Sequence, residues 1–168
     1  MMALFTTILA LSSPPSHAQS FSTGATTDCV QRVTNQSPSF SDHSVLNCIG
    51  LSAFSCSMTP GGDTTVGMIK CFKQELDYWE ARLAAAYTKR REAVQKNDEE
   101  MAKLNATVDS VIETLTAMQT AWYTYRDASC RYEQSLWFGG TGGGPATMAC
   151  YMHLTAQQSL RLEGWWEQ

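Results

Sequence analysis

Residues 101–136, MAKLNATVDSVIETLTAMQTAWYTYRDASCRYEQSL, decide how this chain folds. Met101, Leu104, Val108, Val111, Leu115, Met118, Trp122, Tyr125, Ser129, Tyr132 and Leu136 follow one another in steps of three and four. Such steps return to one side of an α-helix, so the stretch predicts a helix with a single continuous seam. At 1.5 Å per residue the seam runs for about 50 Å, and it must be covered by something. It stops at residues 139–145, GGTGGGP, a run no helix interior tolerates.

Upstream, the same alternation returns at Ile69, Phe72, Leu76, Trp79, Leu83 and Ala86, with Tyr87 and Val94 flanking it. This predicts a helix that begins after the breaker TPGGD at residues 59–63 and ends in the basic run KRREAVQK at residues 89–96. Asn97, Asp98, Glu99 and Glu100 then read as the cap and acidic first turn of the next helix. Neither Gly nor Pro separates the two, so one rod over residues 64–138 is the alternative. Such a rod would leave its seam bare unless it dimerised, and the charge reversal at 96–100 favours a hairpin. A last helix is expected over about residues 146–164. The fold class is therefore all-α: an antiparallel hairpin of long helices plus a C-terminal helix. Ahead of them, residues 19–43 are rich in Ser, Thr, Asn and Pro and read as an irregular arm held by Cys29. Residues 44–56 read as a short helix capped by Ser41 or Asp42.

At 168 residues, with 43% hydrophobic and 17% charged residues, the chain suits one globular domain with a real core. The apolar run ALFTTILAL, residues 3–11, is too short to span a bilayer. Pro14 and Pro15 follow it, and Ser16-His17-Ala18 is a small-x-small cleavage pattern, so residues 1–18 read as a signal peptide. The basic residue that usually precedes such a run is absent. The expected location is periplasmic or secreted. No lipid anchor is expected, because the first cysteine, Cys29, lies well past the cleavage point.

All six cysteines, Cys29, Cys48, Cys56, Cys71, Cys130 and Cys150, lie beyond that point. An even count in a short exported chain implies disulfides, with 15 connectivities open. Cys130 and Cys150 flank the glycine-rich loop, and Cys56 and Cys71 flank the TPGGD breaker. Pairing each couple would close a connection the backbone leaves free, which makes these the expected bridges, with Cys29 and Cys48 left to tether the arm. A crossed pair such as Cys71 to Cys130 stays open at this level.

Several chemistries find no support. Without a CxxC pair, and with His43 and His153 far from paired thiols, no metal site is expected. GGTGGG lacks the Lys and hydroxyl that end a phosphate-binding loop, so no nucleotide cofactor is expected and a flexible connector is the better reading. Oxidised cysteines and unpartnered histidines offer no nucleophile, and Asp98, Glu99 and Glu100 read as a solvated helix start, so an enzyme is not expected. With 12 basic and 16 acidic residues the net charge is −4, which disfavours nucleic acid and would speed encounter with a cationic partner.

The most specific element is Gln119-Thr-Ala-Trp122-Tyr-Thr-Tyr125-Arg126-Asp127-Ala-Ser-Cys130. Trp122, Tyr125 and Arg126 share a face, with Trp and Tyr expected in the seam and Arg126 stacked on them or paired with a carboxylate of the neighbouring helix. This QxxWxxYRDxxC pattern resembles that of the LprI-type lysozyme-inhibitor domain of exported bacterial proteins. Cys71, Glu80, Leu83 and Tyr87 match the first part of that family's pattern. Gly139, Gly140, Cys150, Leu154, Thr155, Arg161 and Leu162 match its last part. The resemblance covers about residues 56–163, with 19–55 as an N-terminal arm, and Ala84 stands where the family usually carries Asn. It implies an all-α exported protein and a role against lysozyme, exercised by binding a protein partner. The candidate contact is Trp137 and Phe138 with Gly139 and Gly140, since aromatic anchors beside loops dominate many interfaces. The alternative is that the two aromatics only close the helix end. A second functional class is an interaction module of the cell envelope that pairs copies along the seam.

Overall fold

The computed structural model describes residues 21–36 and 43–165. The expected signal peptide, residues 1–18, and the expected caps Ser41 and Asp42 lie outside the described residues. Among the described residues there are five α-helices and no strand: α1 (Gly24–Gln36), α2 (Leu51–Ser57), α3 (Thr65–Lys103), α4 (Val111–Ser135) and α5 (Gly143–Leu162), with a 3-10 segment at His43–Cys48. None of the helices is long and apolar enough to cross a membrane.

α3 starts where the TPGGD breaker ends. Thr64 Oγ1 accepts from the Gly67 amide at 3.0 Å, satisfying an orphan donor of the first turn. The turn folds so tightly onto that helix start that a Cβ on Gly67 would stand 2.8 Å from the Cα of Gly62. Glycine is needed there for room.

The long helices form an up–down–up bundle. α3 meets α4 through Asp98 with Ser110, Tyr87 with Thr116, and Glu80 with Arg126, one number rising as the other falls. α4 meets α5 through Gln119 with Gln158, Arg126 with Thr155, and Cys130 with Cys150. α3 and α5 therefore run the same way, and the end of α5 is locked to the middle of α3 by Arg82, whose Nε and Nη2 donate to the two Glu163 carboxylate oxygens at 2.6 and 2.7 Å. Arg82 also donates to Tyr78 at 2.8 Å and lies over the Trp79 ring. Burial works against its charge, but the bonds it donates to Glu163 and Tyr78 outweigh burial and raise its pKa.

Trp79, Met152, Ala156 and Leu160 are fully buried at the centre, with Leu76 and Cys71 beside them. Val30, Val45, Cys48, Ile49 and Ala53 join the same cluster, so the N-terminal segment is part of the main core. This corrects the irregular arm: residues 24–36 are helical. Thr and Asn are poor helix formers. Here Ser22 Oγ accepts from the Gly24 amide, Cys29, Val30 and Val33 turn one face to the core, and Cys29 is bridged to Cys48. Packing overrides propensity. The short helix expected over 44–56 is likewise two pieces, 3-10 then α, broken at Gly50 with φ 90°.

The hairpin turn also lies later than expected. Residues 97–100 stay inside α3, which closes only at Leu104. Asn105 takes φ 51°, its amide donates to Ala102 O at 3.1 Å, and the Ala106 amide donates to Met101 O at 3.1 Å. That is a Schellman closure with Asn in the left-handed position. Asp98 is a cap, but of the other helix. Its carboxylate accepts from Ser110 Oγ at 2.7 Å and from the Val111 and Ile112 amides at 2.9 and 3.1 Å. Those bonds, Ser110 first, hold its pKa below the usual value.

Candidate partner-contact loop

The QxxWxxYRDxxC element holds the bundle that carries the loop. Arg126 lies over the rings of Trp122, Tyr123 and Tyr151 at 5.1, 5.2 and 5.2 Å. Its Nη1 donates to Thr155 Oγ1 at 3.2 Å and lies 3.7 Å from Glu80, and its Nε reaches Asp127 at 3.3 Å. Both expected roles are realised at once, stacking and pairing with a carboxylate of the neighbouring helix. Four of the residues that carried the resemblance, Glu80, Trp122, Asp127 and Thr155, converge on this one guanidinium. Gln119 is buried, and its Oε1 accepts from Gln158 at 2.8 Å.

Tyr125 corrects the expectation. It is 61% exposed and does not fill the seam, and Tyr123 contributes the ring that Arg126 needs. Tyr132 and Leu136 are exposed as well. A heptad stripe on a straight helix drifts by about 20° per heptad. Leu115, Met118 and Trp122 therefore face the smaller apolar cluster with Leu83, Ala86 and Leu162, while the later members have rotated off it.

Three bridges are formed: Cys29–Cys48, Cys56–Cys71 and Cys130–Cys150, and among the described residues no cysteine is free. Cys130, fully buried near the end of α4, joins Cys150 near the start of α5 with 5.5 Å between Cα atoms. The connection between them is therefore fixed at its base. It is also packed, which corrects the flexible connector: a Cβ on Gly142 would fall within the Trp137 ring, and one on Gly144 would stand 2.8 Å from Ile69 Cδ1. Gly143, Gly144 and Pro145 form the first turn of α5 and do not precede it, because a first turn needs no amide from proline.

At the apex the Gly140 amide donates to Trp137 O at 2.7 Å, closing a turn whose central residues, Phe138 and Gly139, have φ 47° and 81°. Positive φ at both central positions is the primed-turn geometry, ordinarily filled by Asn or Gly. Phe138 occupies it with its side chain 95% exposed, while Trp137 is half exposed and leans on Gly142. An aromatic residue in a strained conformation, buried against nothing, is an outlier of the kind found at functional sites. Between Tyr132 and Cys150 the only charged residue is Glu133, so the apex offers apolar contact with almost no charge of its own. The sequence pointed to Trp137, Phe138, Gly139 and Gly140. The strain at Phe138 had no signal there, because Phe is not a residue that announces positive φ.

Among the described residues no group of three or more His, Cys, Asp or Glu converges as a metal site would require. What the fold and loop define is a helical scaffold, closed by disulfides, from whose stapled loop Phe138 protrudes. The chain matches the family described as "Lysozyme inhibitor LprI" over residues 56–162, and it belongs to that family. It is also 24% identical, over 139 residues covering 82% of each chain, to a Rhodobacter capsulatus protein described as "Uncharacterized 17.7 kDa protein in puhA 5'region". No solved structure matches the chain.

Proposed function

We propose that this chain is an exported inhibitor of a cationic lysozyme or a related wall-cleaving enzyme, with residues 1–18 as a cleaved signal peptide, 19–55 as an N-terminal segment whose short helices pack on the core, and 56–168 as the inhibitor domain. It acts by binding and performs no catalysis. The observation that carries the reading is Phe138, an exposed aromatic held at positive φ on a loop stapled by Cys130–Cys150. A polysaccharide cleft is blocked by a narrow apolar wedge, and the apex of this loop has that form. Trp137, Gly139 and Gly140 shape the wedge. The net charge of −4 assists encounter with a cationic enzyme, and three disulfides fit an oxidising compartment.

The oxidised protein is expected to slow lysis of cell walls by a cationic lysozyme at micromolar concentration, with weaker inhibition at high salt as surface attraction is screened. Absence of inhibition across lysozyme classes would reject this reading. A second reading, an envelope interaction module that pairs copies along α4, is favoured by one observation: Tyr125 and Tyr132 on that helix and Leu136 at its C-cap lie exposed. Sedimentation equilibrium separates the two, since only the module gains mass with concentration.

A further inference from the structure

Ala84 stands where an Asn was expected from the resemblance, and the structure shows what its small side chain leaves behind. A groove of about 300 Å³ opens between α3 and α4, with Leu83 and Ala84 on one side and Thr116, Gln119, Thr120 and Tyr123 on the other. That volume is at the lower end for small-ligand sites. No Asp, Glu, Lys, Arg or His lines it, so the groove suits an uncharged ligand.

The polar groups facing it are one-sided. The Thr88, Thr116 and Thr120 hydroxyls donate to the carbonyls of Ala84, Ile112 and Thr116 at 3.0, 2.8 and 2.9 Å. Their protons are committed within the helices, and their oxygens remain as acceptors, Thr116 sharing its own with the Tyr87 hydroxyl at 3.4 Å. Gln119 is the complement. Only 5% exposed, it spends its Oε1 on Gln158 at 2.8 Å, while its Nε2 has no protein partner among the described residues. That nitrogen is not sealed in the interior, and Gln119 lines this groove; we infer that the groove is where its donor opens. A side chain nineteen-twentieths buried, with one end fixed and the other bare, is an oriented donor awaiting an acceptor.

A fitting ligand must therefore be neutral, bring several O–H donors for the threonine oxygens, offer one strong carbonyl acceptor for Gln119, and present apolar C–H surface to the half-exposed Tyr123 ring. We propose that this groove binds an acetamido-bearing saccharide. Its ring hydroxyls meet the threonines and its acetamido carbonyl meets Gln119 Nε2. The site is separate from the Phe138 apex and does not depend on the inhibitor reading.

The test is calorimetric titration of the disulfide-bonded protein with tri-N-acetylchitotriose, with maltotriose as a comparison lacking the acetamido group. Saturable binding of chitotriose at least tenfold tighter than maltotriose is expected. Ala84→Leu fills the groove at an exposed helical position, so it should weaken binding at least tenfold with the melting temperature unchanged. Thr120→Val, which removes one acceptor and conserves shape, should weaken binding severalfold. No saturable binding at millimolar trisaccharide, equal affinity for the two sugars, or Ala84→Leu binding as tightly as the parent each overturns the proposal.

Discussion

Phe138 carries a conformational cost that the fold does not repay. A left-handed conformation costs an L-residue roughly 1–2 kcal/mol, and with its ring 95% exposed Phe138 recovers almost nothing by burial. Phe138→Gly removes that cost and adds unfolded-state entropy of about 0.4–1 kcal/mol in the opposite direction. Thermal melting of Phe138→Gly should therefore match or slightly exceed the parent. If the ring is the wedge, the same protein should lose at least tenfold in lysozyme inhibition. Full inhibition by Phe138→Gly would remove the loop from the interface. At this scale the sequence was partly legible. The stacked and paired Arg126 followed from Trp122, Arg126 and a neighbouring carboxylate at helical spacing. Tyr123 as its second ring did not, because i and i+3 against i and i+1 differ only in how far the helix is rotated about its axis.

Between elements, the join of α3 and α4 shows where spacing stops being informative. Helix type and order were readable from the three–four alternation, and the end at the glycine run was nearly right. The turn was misplaced because Asp98, Glu99 and Glu100 suit a helix start by charge, yet nothing at 97–100 breaks a helix. The stop is made by Asn105 in the left-handed region, and α4 begins at Ser110. Asp98 then serves the dipole of the facing helix from within its own. Its depressed pKa fixes the sign of a pH effect. The stabilisation is present above the unfolded aspartate value of about 3.9 and is lost as pH falls through the lower folded value. Hydrogen exchange corrected for intrinsic rates should show the Val111 and Ile112 amides losing protection over that acid range. Asp98→Asn should lose part of it at neutral pH, while amides near Trp122 are unmoved. Protection at residues 111 and 112 that ignores both pH and the substitution would show that packing, not Asp98, holds the helix start.

The whole molecule depends on a group that periodicity could not single out. Glu75 occupies an ordinary place between Phe72 and Trp79, and an acidic residue there reads as solvated. It is instead completely buried. Its Oε1 accepts from Thr26 Oγ1 at 2.9 Å, the Gly50 amide at 2.8 Å and Trp79 Nε1 at 3.1 Å, and its Oε2 accepts from the Ala53 amide at 2.7 Å. Thr26 and Ser52 exchange amide-to-hydroxyl bonds beside it, so the carboxylate sits where the starts of α1 and α2 meet on α3. The reading of residues 19–43 as an arm failed for this reason: its helix is ordered by an acceptor 49 residues away. The disulfides do not duplicate that tie. Cys29–Cys48 joins α1 to the 3-10 segment and Cys56–Cys71 joins α2 to α3, leaving packing and Glu75 to tie α1 directly to α3. Glu75→Ala strands four donors, each costing about 1–3 kcal/mol if left unpaired, and partial relaxation should bring the loss to about 3–5 kcal/mol. Glu75→Gln keeps the volume but sets an N–H2 against one of those donors, so it should lose less. Urea unfolding of the oxidised protein should rank the midpoints parent, Glu75→Gln, Glu75→Ala. Exchange protection should fail first in α1 and only later around Trp79. Unchanged midpoints, or loss of protection starting in α4, would mean that the apolar cluster alone holds the N-terminal helices in place.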